Sequence, residues 1–312
     1  MFKEELMNRR HFIARSAGTV AGWMGANLLA QGSLVGQGTS TSARIGVSTW
    51  SFHNLIPSTR DDDAPAPAKP LELLDIPEII AERYQVHELE FVAPHFGATS
   101  AAYLQDMKAR LARAHSHLGN ICVDIDELEL GGGLSDPDPK LRDRIIEACS
   151  KWIDIARQLG AGSIRCDAGK INSADLSPTV SAYRKLATYG ASKGVAVIVE
   201  NHGGVGSEHP EELVRIFREV DSKFFGALPD FGNFPNQETR ERGLQLLFPY
   251  ARTVCHAKAS RRREQGDDPQ FVARCVQLSK QAGFRGVYSV EYGGPHPYGG
   301  VQHIIDLLTR TI

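Results

Sequence analysis

The stretch from Gly194 to Gly204, GVAVIVENHGG, constrains the fold of this chain more than any other. Val195 to Val199 is an unbroken apolar run dominated by β-branched residues, which suits a strand covered on both faces, as in a parallel sheet. It ends in Glu200, Asn201 and His202, followed by two glycines. Three later apolar runs end in the same manner: FFGALPDFGN in Asp230, ARTVCHAKA in His256 and GVYSVEYGG in Glu291. Successive members of the set are 30, 26 and 35 residues apart, each about one strand-plus-helix unit. A carboxylate at the C-terminal end of a parallel strand stands where α/β barrels carry their chemistry.

The alternation extends back to Arg44. Strands are predicted at RIGVSTWSF, VHELEFVAP, GNICVDIDE and GAGSIRCDAGK, separated by helical periodicity over 71–84, 99–118, 138–159 and 178–193. After Glu200, helices over 210–220, 238–248, 268–282 and 301–310 alternate with strands over 224–230, 252–257 and 286–291. Eight such units predict an α/β fold of the (β/α)8 TIM barrel type over residues 44–312. The competing architecture is a doubly wound open sheet, but no G-x-G-x-x-G follows the first strand.

Residues 1–43 read as an export signal and flexible linker. Asn8-Arg9-Arg10-His11-Phe12-Ile13 resembles a twin-arginine motif, and the run from Ala17 to Ala30 is too short and too weakly apolar to span a bilayer comfortably. Gln31 to Ser42 is rich in Gly, Ser and Thr, as linkers are. The expectation is a periplasmic or otherwise exported protein with no stable membrane insertion after signal removal. A formal net charge of −2 gives no electrostatic case for binding nucleic acid or anionic membranes. The five cysteines are odd in number, without close pairing, and fit buried thiols rather than a disulfide scaffold.

Glu200, Asp230, His256 and Glu291 on four successive strand ends make a ring of oxygen and nitrogen ligands for one divalent metal ion. Mn²⁺, Mg²⁺, Co²⁺, Zn²⁺ and Ni²⁺ all suit this mixed set, whereas the lack of a thiolate speaks against a structural zinc. Such an ion would polarise a carbonyl and acidify the adjacent C–H or O–H. Glu200 and Glu291 come from the fifth and eighth strands and can approach a substrate from different sides, which suits one removing a proton and the other returning it.

Substrate-binding candidates surround that ring. His202 could orient a substrate oxygen, and Lys258 returns to the strand face of His256, where it could hold an oxyanion or pair with a carboxylate. Arg165 and Glu90 project from other strand ends, where ion pairing across the barrel mouth is the simpler role; Arg165 is also a substrate-binding candidate. His53 and His95 carry weaker signals, and Arg261-Arg262-Arg263 reads as a solvated loop. The glycines at 203–204, 293–294 and 299–300 fit tight loops, and Tyr292 and Tyr298 could offer stacking surfaces for a sugar ring.

VENHGG, PDFGNF, VCHAKA and SVEYGG, taken in order, resemble the xylose isomerase-like TIM-barrel superfamily, in the sugar phosphate isomerase/epimerase group, over 44–312. The resemblance implies metal ligation by Glu200, Asp230, His256 and Glu291, with both glutamates transferring protons between adjacent carbons. Many members carry a histidine three residues after the Asp; here the position is Asn233, whose amide can bind a hydroxyl but cannot act as an imidazole base. Several relatives have Asp where Ala259 follows Lys258. The expected function is a metal-dependent isomerase or epimerase of a sugar or keto-sugar, working through an enediolate. A metal-dependent lyase or hydratase on a keto-glycoside is the enzymatic alternative, and a non-catalytic sugar-binding barrel is the alternative of another class. Export favours an unphosphorylated, carbohydrate-like small molecule as partner, and a homo-oligomer is compatible with the sequence.

Overall fold

The computed structural model describes residues 41–259 and 269–312. The twin-arginine-like segment, the apolar run, most of the linker and Arg261-Arg262-Arg263 lie outside the described residues. Eight parallel strands carry the architecture: β1 (Ile45–Ser48), β2 (Glu88–Val92), β3 (His117–Cys122), β4 (Ser163–Arg165), β5 (Ala196–Glu200), β6 (Phe225–Leu228), β7 (Val254–Ala257) and β8 (Val287–Val290). They are ordered β6-β5-β4-β3-β2-β1-β8-β7, and two isolated bridges, Ala227 to Ala251 and Asp230 to His256, connect β6 to the β7 side. The chain is a (β/α)8 TIM barrel, as the eightfold alternation predicts. The strands read as apolar runs because helices cover the sheet outside and side chains fill it inside.

The covering helices are α1 (Ile76–Tyr84), α2 (Ala101–Arg113), α3 (Pro139–Leu159), α4 (Ser177–Lys193), α5 (Gly204–Glu208), α6 (Pro210–Val220), α7 (Gln237–Leu247), α8 (Pro269–Gln281) and α9 (Pro297–Thr311). Their ends follow local chemistry. Ser100 and Asp138 accept backbone N–H bonds at the starts of α2 and α3, and Gly160 and Gly194 take left-handed conformations at the ends of α3 and α4.

Several predicted boundaries move: the helix expected from 71 begins at Ile76, and the strand read over RIGVSTWSF ends at Ser48. The helix expected over 99–118 stops at Arg113, because His115 adopts a left-handed φ of 52° and Ser116 N–H closes the turn on the Leu111 carbonyl at 2.8 Å. His117 and Leu118 therefore belong to β3. The helix expected from 301 begins at Pro297, a favoured first helical residue, which places Gly299 and Gly300 in its first turn instead of a loop. The short α5 begins at Gly204, directly after Gly203, with both glycines at positive φ, and adds a helical turn to the segment read as a tight loop. No helix among the described residues is long and apolar enough to cross a membrane. All five cysteines are buried and free.

Candidate metal centre

The C-terminal ends of β5 and β8, with the segments that follow β6 and complete β7, converge on one nitrogen. His256 Nδ1 lies 2.7 Å from Glu291 Oε2, 3.2 Å from Glu200 Oε1 and 3.6 Å from Asp230 Oδ2. One ligand atom from each of the four residues falls within 4.8 Å of every other. The ring read from the four strand ends is thus assembled in space.

Each carboxylate is aimed by its neighbours. Asp230 Oδ1 accepts backbone N–H bonds from Gly232 (2.6 Å) and Asn233 (2.8 Å), while Asn201 clips the Asp230 backbone through both its carbonyl and its amide. These bonds turn Oδ2 inward, where it is buried without an aligned hydrogen-bond donor. Its neighbours are Lys258 Nζ at 3.0 Å and His256 Nδ1 at 3.6 Å. Glu200 Oε1 accepts from Asn233 Nδ2 at 2.8 Å, and Arg165 Nε stands 3.3 Å from its Oε2. Glu291 Oε1 lies 3.1 Å from Lys258 Nζ.

An inward-facing buried carboxylate oxygen, two further carboxylates and a shared imidazole nitrogen form a donor set that fits a divalent cation. Burial raises the pKa of Glu200, but the positive charges of His256, Arg165 and His202 outweigh it and hold the carboxylate below its ordinary range. Glu291 is likewise driven well below that range against its burial, by Lys258 and His256. Burial alone would discharge His256; the charges of Glu90, Glu291 and Glu200 instead raise its proton affinity well above the usual value. The carboxylates therefore already stabilise positive charge on the His256 ring.

The surrounding candidates take distinct places. Lys258 bridges Asp230 and Glu291 and donates to Asn233 Oδ1 at 3.0 Å. Arg165 is 5 % exposed and committed to carboxylates: Nη1 and Nη2 reach Asp124 at 2.8 and 3.2 Å, and Nη1 reaches Asp167 at 2.7 Å. Its Nη atoms are committed to Asp124 and Asp167, while Nε faces Glu200 without an aligned acceptor. His202 Nδ1 meets Asp167 Oδ2 at 2.8 Å. Packing around this nitrogen opposes its proton, but Glu200 and Asp167 raise the pKa to about 9, while the outer edge of the ring stays open to solvent.

Tyr298 lies against Phe52 with Arg83 over its ring, and the Tyr292 ring fills the space beside Gly294 and Gly300. Both tyrosines thus serve packing in this arrangement. His53 stacks on Trp50, and His95 is buried between the hydroxyls of Thr49 and Thr59. Cys122 also approaches His256 on the Glu90 side, and burial and Glu90 push its thiol up to about 12.

Glu90, read from the sequence as an ion-pairing group across the barrel mouth, pairs with His256 itself. Its Oε1 lies 2.7 Å from His256 Nε2, across the interior of the barrel. It comes from β2, far from the four-residue set in sequence, so only a preference for pairing with barrel-mouth charge could have pointed to it.

The sequence profile of the xylose isomerase-like TIM barrel family matches residues 81–311. The chain belongs to that family. No curated protein matches it. Among solved structures it is similar to the 3-keto-D-glucoside 4-epimerase of E. coli, at 14% identity and a TM-score of 0.64 over 86% of this chain and 99% of that one. A xylose isomerase-like barrel from Mycobacterium smegmatis in complex with magnesium gives 16% identity and a TM-score of 0.60, covering 86% and 97%. The probable 3-DHS dehydratase of Bacillus anthracis gives 17% and 0.63, covering 85% and 98%. At these identities the likeness establishes the shared barrel; what this xylose isomerase-like chain does rests on its own residues.

Proposed function

We propose that this protein is a divalent-metal-dependent isomerase or epimerase of a sugar or keto-sugar, with Glu200 and Glu291 as its proton-transfer groups. The observation that carries the reading is the convergence of Glu200, Asp230 and Glu291 on His256 Nδ1. Membership of the xylose isomerase-like family, a related magnesium-bound barrel and a related keto-glucoside epimerase support it. Glu200, Asp230, His256 and Glu291 would hold the ion, which when bound supplies Lewis-acid polarisation of a substrate carbonyl.

The chain's own groups supply the rest. One glutamate removes the proton from the carbon next to the carbonyl, and the C–H electron pair moves into the carbonyl to give an enediolate. The other glutamate, which must enter the step carrying a proton, returns it to carbon, and delivery to the opposite face inverts the centre. Lys258, fixed between Asp230 and Glu291, and the protonated His202 face developing negative charge on substrate oxygen. Asn233 holds Glu200 in place.

The test begins with metal analysis of purified protein beside the Glu200→Ala/Asp230→Ala double variant. About one divalent ion per chain is expected in the wild type and none in the variant. A panel of keto-sugars in deuterated water should then acquire carbon-bound deuterium, an exchange lost in Glu200→Gln and in Glu291→Gln. Product analysis distinguishes epimer or isomer from the eliminated product of a lyase. Absence of metal after reconstitution with Mn²⁺, Co²⁺ and Zn²⁺ would defeat the reading and leave a binding barrel.

A further inference from the structure

Beneath the carboxylate ring, the barrel interior holds a row of polar side chains where branched apolar layers usually fill such barrels. Strand register creates the row. Glu90 of β2 is the lateral partner of Asn120 of β3, which is the partner of Ser163 of β4; on the far side His256 of β7 pairs with Ser289 of β8. All five are buried, at 2 % exposure or less.

Their hydrogen bonds have one direction. Ser163 Oγ donates to Asn120 Oδ1 at 2.8 Å, and Thr253 Oγ1 stands 2.7 Å from Ser163 Oγ. With its carbonyl satisfied by Ser163, Asn120 turns its amide to Glu90 Oε2 at 2.9 Å. Ser289 Oγ approaches Glu90 Oε1 at 3.3 Å. Both oxygens of Glu90 therefore act as acceptors, and the group 2.7 Å from Oε1, His256 Nε2, must be a donor. A neutral imidazole has one N–H; placed on Nε2, it leaves the lone pair on Nδ1, the atom that faces Glu200, Asp230 and Glu291.

We propose that Glu90 is a positioning residue for the metal centre: through the Asn120–Ser163–Thr253 chain it fixes the His256 tautomer and so sets the affinity of Nδ1 for the ion. The inference rests on the metal reading above and deepens it. Glu90 does not touch the ion or the substrate. It orients the imidazole and strengthens its basicity, and loss of such a partner typically weakens metal binding by about 10–100-fold.

Asn120 makes the test specific. In Glu90→Gln, the Asn120 amide pairs with the new carbonyl and turns the glutamine NH₂ toward His256 Nε2. The imidazole must then accept there and carry its proton on Nδ1, against the ion. Mn²⁺ and Zn²⁺ titrations of the purified variant should show dissociation constants raised by about 10–100-fold, with an unchanged circular dichroism spectrum. Adding Asn120→Asp supplies an acceptor for the glutamine NH₂, returns the glutamine carbonyl to Nε2–H and should recover most of the lost affinity. A purely structural role for Glu90 gives no such rescue.

Nitrogen-15 spectra of histidine-labelled, Zn²⁺-loaded wild type read the tautomer directly, without depending on any variant. A proton on Nε2 and zinc on Nδ1 are expected. Zinc on Nε2, or wild-type affinity in a folded Glu90→Gln protein, would overturn the proposal while leaving the metal centre standing. Failure of the wild type to bind either ion would overturn both.

Discussion

Asn233 Nδ2 donates to Glu200 Oε1 across 2.8 Å, so the amide three residues past Asp230 steadies the carboxylate that ends the fifth strand. Its Oδ1 accepts from Lys258 on the other side. An amide can do both because it carries a donor and an acceptor on one plane. Asn233→Ala should slow deuterium exchange into a turned-over sugar on the order of 10–100-fold, the worth of one hydrogen bond to a charged group. Thermal unfolding should change little by comparison, since Asn233 itself is only half-buried. Equal exchange rates in the two proteins would remove Asn233 from the machinery.

Lys258 neutralises Asp230 and Glu291 at 3.0 and 3.1 Å. Lys258→Met leaves Asp230 and Glu291 with only the His256 imidazole to offset their charges. Urea unfolding in chelator should show a loss of about 3 kcal/mol, toward the low end for a broken buried pair because Lys258 is partly exposed. A bound divalent ion restores positive charge to the same oxygens, so saturating Mn²⁺ should recover more than half of the deficit. A loss that is the same with and without Mn²⁺ would argue that the lysine acts through packing alone.

Arg165 distributes its donors over Asp124 and Asp167 and turns Nε to Glu200. Arg165→Lys keeps the charge but cannot serve three carboxylates, since an ammonium lacks the planar fork. It should cost about 3 kcal/mol in stability and lower kcat while leaving KM near the wild-type value. A raised KM with unchanged stability would instead restore Arg165 as a substrate contact.

His95 gives the pH dependence a sign. Burial, with His53 beside it, lowers its pKa to about 3 in the folded protein, against about 6.5 in an open chain. Thr59 Oγ1 donates to the His53 carbonyl and so accepts from His95 Nε2–H, while Thr49 Oγ1 faces Nδ1; both contacts are 2.9 Å. The unfolded chain therefore binds the extra proton first. This contribution is complete above pH 6.5 and is lost as pH falls from 6.5 toward 3, at up to about 1.4 kcal/mol per pH unit. Urea midpoints between pH 7.5 and 4.5 should fall less steeply in His95→Gln than in the wild type. Parallel slopes would assign the acid sensitivity to other groups.

The barrel and its four converging residues were legible because each of them ends a run of buried strand residues, a pattern written in consecutive positions. Less legible were features whose cause lies across the fold. The end of α2 depends on His115 in a left-handed conformation, and no glycine marks the turn. Pro297 could equally have belonged to a loop. Glu90 and Asn120 look like isolated polar residues in apolar strands; their meaning appears only when parallel register sets them side by side and barrel closure brings His256 opposite. Arg165 was legible as a strand-end charge, but not the number of carboxylates that would claim it.

The seam between β6 and the segment completing β7 is joined by isolated bridges, one of them between Asp230 and His256 themselves. Phe231 N–H bonds the His256 carbonyl at 3.1 Å, and His256 N–H bonds the Pro229 carbonyl at 3.0 Å. The last stitch that turns the sheet into a cylinder is thus tied by two of the proposed ligands. Barrel closure and the centre share the same two residues, and an ion gripped by this pair would act as a clasp on the side of the cylinder with the least backbone mortar.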